Sequence, residues 1–144
     1  MSYLHFIPEV SQMNADEQAV ADALADYESA LNASDTAAVM KLYAADGVFM
    51  PQHFPSSIGT DAVRKAYDGV FAAITLTVKF NVAEVKQVAP EWAFARTNSA
   101  GSVKVNATGE SSAEANQELF VFQKLNGVWK IARYCFSTTN PPKR

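Results

Sequence analysis

A chain of 144 residues, 49% of them apolar, is sized for one domain around one core. Its 12 basic and 15 acidic residues leave a net charge of −3, which excludes the basic face of a nucleic-acid binder and gives no cause to adhere to an anionic membrane. The single cysteine, Cys135, excludes an internal disulfide and a cysteine-held metal, and His5 and His53 are too far apart in sequence for a zinc motif.

The chain opens on "MSYLHFIPEV", which has no basic segment, no apolar run of signal length and no small-residue cleavage site. No stretch approaches the roughly 18 apolar residues of a membrane span. A soluble, cytoplasmic protein is expected, with residues 1–13 as an arm whose "YLHFI" packs on the body or on a neighbouring subunit. Three helices follow. The first is capped by Asn14, with Glu17 three places on as a capping box; Val20, Leu24, Tyr27 and Leu31 fall on one face. A second, short helix is expected from Ser34 or Asp35 to a stop near Asp46 and Gly47. The third is capped by Thr60 and buries Val63, Tyr67, Val70, Phe71 and Ile74.

The remainder alternates as strand. A short strand is expected at 47–50 and long ones at 75–88, 92–105, 113–124 and 128–138, divided by turns that include the hairpin signal Asn126-Gly127. Helices first and long antiparallel strands after them give an α+β fold, with helices on one sheet face. Period two puts Asn116, Glu118, Phe120 and Phe122 on one face of the third long strand. Trp92, Phe94, Arg96 and Asn98 share a face in the second, and Ala132, Tyr134 and Phe136 in the last. Aligned, these faces make a pocket with a greasy floor and Arg96, Asn98, Asn116, Glu118 and Tyr134 above it. The opposite faces carry Leu119, Val121, Ile131 and Cys135, with Ala93 and Ala95 beside them. Without cover from a helix, that patch predicts a homodimer through the outer sheet face.

The stretches "DYESALNASDTAAVMKLYAADGVFM", "GTDAVRKAY" and "GVWKIARYCF" resemble the nuclear-transport-factor-2-like superfamily, and within it the SnoaL-like and SgcJ/EcaC-like proteins. The resemblance covers about residues 14–138 and implies a cone: a strongly curved antiparallel sheet wrapped around three helices, with a pocket inside. A single domain over 14–140 and a tail over 141–144 follow. Ketosteroid isomerase shares this fold. By that resemblance its oxyanion-hole tyrosine falls at Tyr27, its protonated acid at Glu118 and its base at Pro51. Proline cannot take a proton, so the isomerase mechanism does not carry over.

Two readings of Glu118 stay open. It is half of a structural ion pair with Arg96, or it is an acid, base or ligand acceptor in the pocket. Tyr27 is core, or a donor to a developing oxyanion. His53 belongs to the exposed loop "MPQHFPSS" at the pocket mouth, or is a base with an ordinary pKa near neutrality. Arg96, Asn98, Asn116, Tyr134, Phe136, Phe94 and Phe120 are candidate ligand contacts, and Cys135 has no catalytic role. No G-x-G-x-x-G, phosphate loop or G-x-S-x-G elbow occurs, so no cofactor is expected. The expected function is binding of a small, partly apolar organic molecule, with cofactor-independent isomerisation, cyclisation, dehydration or hydrolysis. The alternative is a non-catalytic ligand-binding or association module.

Overall fold

The computed structural model describes residues 12–142. The expected N-terminal arm, with His5, therefore lies almost wholly outside the described residues. Helix α1 spans Ala15–Asn32. Asn14 accepts from the Glu17 amide at 2.7 Å, and Glu17 accepts from the Asn14 amide at 3.1 Å, which satisfies two otherwise orphaned donors at the helix start. Val20, Leu24, Tyr27, Ala30 and Leu31 form its buried stripe.

Helix α2, Thr36–Met40, is shorter than expected, and the chain turns into strand β1, Tyr43–Met50, where further helix was expected. Strand β2 is the two-residue Ser57–Ile58, absent from the expected set because its pairing with Val48 and Phe49 is non-local. Helix α3, Thr60–Ala73, is capped by Gly59 at φ 87° instead of by Thr60, whose hydroxyl donates to the Ala45 carbonyl. Only Val63 and Tyr67 of its expected stripe are buried; Val70 and Ile74 face a cavity instead of side chains. Strands β3 (Ile74–Ala89), β4 (Trp92–Val105), β5 (Ser111–Leu125) and β6 (Val128–Thr138) complete the sheet.

The order β2-β1-β6-β5-β4-β3 gives a six-stranded curved sheet that does not close. It is mixed, not purely antiparallel, because β1 runs parallel to β6. The edge of β3 is covered by α1. Asn32 accepts from the Val78 amide and donates to its carbonyl, both at 2.8 Å. Glu28 accepts from the Phe80 amide at 2.6 Å and Glu17 from the Gln87 amide at 2.8 Å.

One face assignment reverses, and in β6 one residue changes side. In β4, Ala93, Ala95, Thr97 and Ser99 are buried, while Trp92, Arg96 and Asn98 are exposed and Phe94 lies with them on the outer face. The register explains this: Ala93 sits opposite Phe122, Ala95 opposite Phe120 and Thr97 opposite Glu118. Directly opposed residues share a face, and small side chains leave room for the phenyl rings beside them. In β6, Ile131 is buried because a bulge at Ala132 shifts the register, setting Ile131 against Phe122 and Arg133 against Val121. The expected outer patch therefore loses Ile131, Ala93 and Ala95 and gains Trp92 and Phe94.

Candidate functional site

The inner sheet face, α1, α3 and the 51–57 loop enclose a cavity of about 730 Å³, within the size range of small-molecule sites. Its wall is mostly apolar: Leu31, Phe49, Val70, Leu76, Val78, Phe80 and Phe136 all contribute. Phe49 lies nearly parallel to Tyr67, Tyr134 and Phe136, with ring centroids 4.6, 5.7 and 6.2 Å away. Beneath the wall, Phe120 stacks on Tyr134 at 4.1 Å.

Glu118 projects from β5 into this wall and is 6% exposed. One carboxyl oxygen accepts from Thr97 Oγ1 at 2.6 Å, the other from Ser99 Oγ at 2.5 Å. No cation pairs with it among the described residues. Arg96, its expected partner, sits on the opposite face of the sheet and binds Glu84 through Nε at 2.5 Å; alternate strand residues cannot reach across the pleat. Burial pushes the Glu118 carboxyl above its ordinary value, against the Ser99 and Thr97 hydroxyls that favour the charged form.

A second polar group lies in the same cavity. The hydroxyls of Tyr27 and Tyr67 are 2.6 Å apart, and those of Tyr67 and Tyr43 2.7 Å. The Tyr134 ring stands edge-on to Tyr27 at 5.6 Å. Desolvation pushes all four phenols above their ordinary value, so they remain protonated donors at any ordinary pH. Three linked hydroxyls hold three protons and share two hydrogen bonds, which leaves one proton over; it is available to an oxygen in the cavity when it sits on Tyr27 or Tyr67, which line the cavity, and not when it sits on Tyr43, which does not.

The sequence-expected residues divide between the two faces. Glu118, Tyr27, Asn116, Tyr134 and Phe136 line the cavity, and Phe120 supports it. Phe94, Arg96 and Asn98 do not; Arg96 and Asn98 border a shallow outer groove with Leu119 and Cys135. His53 is exposed at φ 73°, is bonded to Gln52, and does not line the cavity although Pro51, Gln52 and Phe54 on either side do. Thr97, Ser99, Tyr43 and Tyr67 were not expected at the site. Tyr43 was placed in a helix, and Tyr67 was read only as core. A buried carboxylate in a strand requires donors on the neighbouring strand, and that requirement points to Thr97 and Ser99.

No helix among the described residues is long and apolar enough to cross a membrane. The profile of the SnoaL-like domain matches residues 24–134. A ketosteroid isomerase-like protein from Erwinia carotovora atroseptica SCRI1043 is 34% identical, with 90% of this chain and 100% of that one covered and a TM-score of 0.86. A nuclear transport factor 2-like superfamily protein from Salmonella enterica serovar Typhimurium LT2 is 13% identical over 88% and 93% of the two chains, with a TM-score of 0.76. A candidate calcium/calmodulin-dependent protein kinase II association domain from Xanthomonas campestris is 20% identical over 83% and 85%, with a TM-score of 0.71. No curated protein matches the sequence. On the profile match over residues 24–134, the chain belongs to the SnoaL-like domain family, and it shares its fold with the nuclear transport factor 2-like protein.

Proposed function

We propose that this protein binds a small, partly apolar organic molecule in the cavity and moves a proton on it without a cofactor. The reading rests on Glu118: a buried carboxyl paired with no cation among the described residues, raised by desolvation and held by two hydroxyls, in the same cavity as a chain of neutral phenols. A raised carboxyl is better matched to proton transfer near neutral pH than an ordinary one. In this scheme Glu118 takes a proton from carbon next to a carbonyl, and the spare hydroxyl proton of Tyr27 or Tyr67 stabilises the oxygen that gains charge. Ser99 and Thr97 keep the carboxyl aimed at the cavity. Hydrogen–deuterium exchange at the carbon next to the carbonyl of a bicyclic ketone tests this without knowledge of the natural reaction. The exchange is expected to rise with pH through the raised Glu118 pKa and to fall by about 100-fold or more in Glu118→Gln. Undiminished exchange in that variant would refute it.

Two observations favour a non-catalytic module. Pro51 lines the cavity at the position where the resemblance places the isomerase base, and a relative by fold is described as an association domain. Tight binding of the ketone with no exchange above solvent background selects this second reading. Under either, we place the protein in the SgcJ/EcaC-like branch, on the stretches quoted above, and propose a homodimer. Its contact is the outer sheet face, where Trp92 and Leu119 are each 42% exposed and Phe94, Val121 and Cys135 are partly so.

A further inference from the structure

The cavity has two electrically different ends. Its buried polar groups are Glu118, Ser99, Asn116 and the linked phenols, with no cation among the described residues there. An anionic group would meet the Glu118 carboxylate there without a counter-charge, which low dielectric makes costly. A neutral carbonyl or hydroxyl fits instead. At the rim the situation is reversed. Lys65, on α3, is the one cationic side chain among the described residues that line the cavity. It is exposed, and no carboxylate among the described residues lies within 4 Å of it. The other charged lining residue, Glu114, accepts from Asn116 Nδ2 at 2.8 Å and keeps its negative charge, so an anion is favoured beside Lys65 and disfavoured beside Glu114. From this polarity we infer that the ligand class is an acid: a molecule with a neutral oxygen for the inner end and a carboxylate or similar anion directed outward to Lys65. The inference rests on the cavity being the ligand site and adds the ligand's charge and direction.

The test is calorimetric titration of the full chain with a bicyclic aryl ketone that bears a carboxymethyl arm, and with its methyl ester. The acid is expected to bind about 2- to 5-fold tighter than the ester, the scale of one exposed ion pair, and the preference should shrink at high salt. Lys65→Met keeps the aliphatic stem and should abolish the preference; Lys65→Arg should restore it. Equal binding of acid and ester, or a preference unchanged in Lys65→Met, overturns the inference alone if the ester still binds and Tyr27→Phe weakens it. Binding of neither probe overturns the inference together with the reading on which it rests.

Discussion

Glu118 and Tyr67 carry opposite lessons about buried polar groups. Burial raises the Glu118 carboxyl, so folding takes up a proton between the ordinary and the raised pKa. The stability this group contributes is complete below the ordinary value and is lost as pH climbs through the raised one. Glu118→Gln removes that loss, and the amide still serves both hydroxyls, its oxygen accepting from one and its NH2 donating to the other. Urea unfolding at a series of pH values should show the variant gaining on wild type across that window and holding its gain above it. A variant that loses ground as pH rises would mean that Ser99 and Thr97 stabilise the charge more than burial penalises it. Tyr67 is the shared partner of two phenols, and Tyr67→Phe takes that partner from Tyr27 and Tyr43 together. A loss of about 1–3 kcal/mol is expected for each polar group left unsatisfied, measured by the same denaturation at pH 7.

At the level of the element, legibility follows locality. The start of α1 was readable because the capping box is complete within four residues, and its apolar stripe because the helical period is short-range. Strand β2 was not, since nothing in Ser57 or Ile58 reveals pairing with β1. The parallel pairing of β1 and the bulge at Ala132 are tertiary in the same way. Alternation in β4 defined two faces correctly but could not say which is inner; aromatic content suggested the wrong one, and with it Arg96, Asn98 and Phe94. Within the site, Glu118 and Tyr27 were legible from strand and helix periods and the resemblance, whereas Tyr43 and Tyr67 meet only through the fold. One element depends on a single amide. Asn32 satisfies both backbone groups of Val78, so Asn32→Ala should cost about 1–3 kcal/mol and raise hydrogen exchange at Val78 above that at Val85. Opposite Val78, a Cβ at Gly101 would fall 1.9 Å from the Thr77 carbonyl oxygen. Gly101→Ala must therefore move the β3–β4 ladder, and a lower melting temperature is expected.

For the whole molecule, the proposed assembly turns on the outer sheet face. Among the described residues, helices cover only the inner side, and Trp92, Phe94, Leu119 and Val121 stay at least partly exposed on the other. An apolar patch of this kind marks an interface more often than a solvated surface. Light scattering at micromolar concentration should report a dimer, and Leu119→Lys combined with Val121→Lys should convert it to a monomer with an unchanged circular dichroism spectrum. A wild-type monomer would refute the proposed dimer. Truncating Phe120, fully buried and stacked on Tyr134, should cost about 3–5 kcal/mol as alanine and disturb the cavity without altering the outer face.

The helix side chains along β3 bear on how copies of this protein can and cannot join. Glu17, Glu28 and Asn32 already hold amides that an incoming strand would need. At the far rim, β2 offers only two residues. Neither border of the sheet is a template for adding chains one after another, the route by which exposed strand edges grow into cross-β fibres. In the proposed dimer, contacts between copies fall to side chains on a single face, and a face used up by one partner ends the series at two. The same carboxylates and amide that fasten α1 thus favour a finite pair over an unlimited polymer.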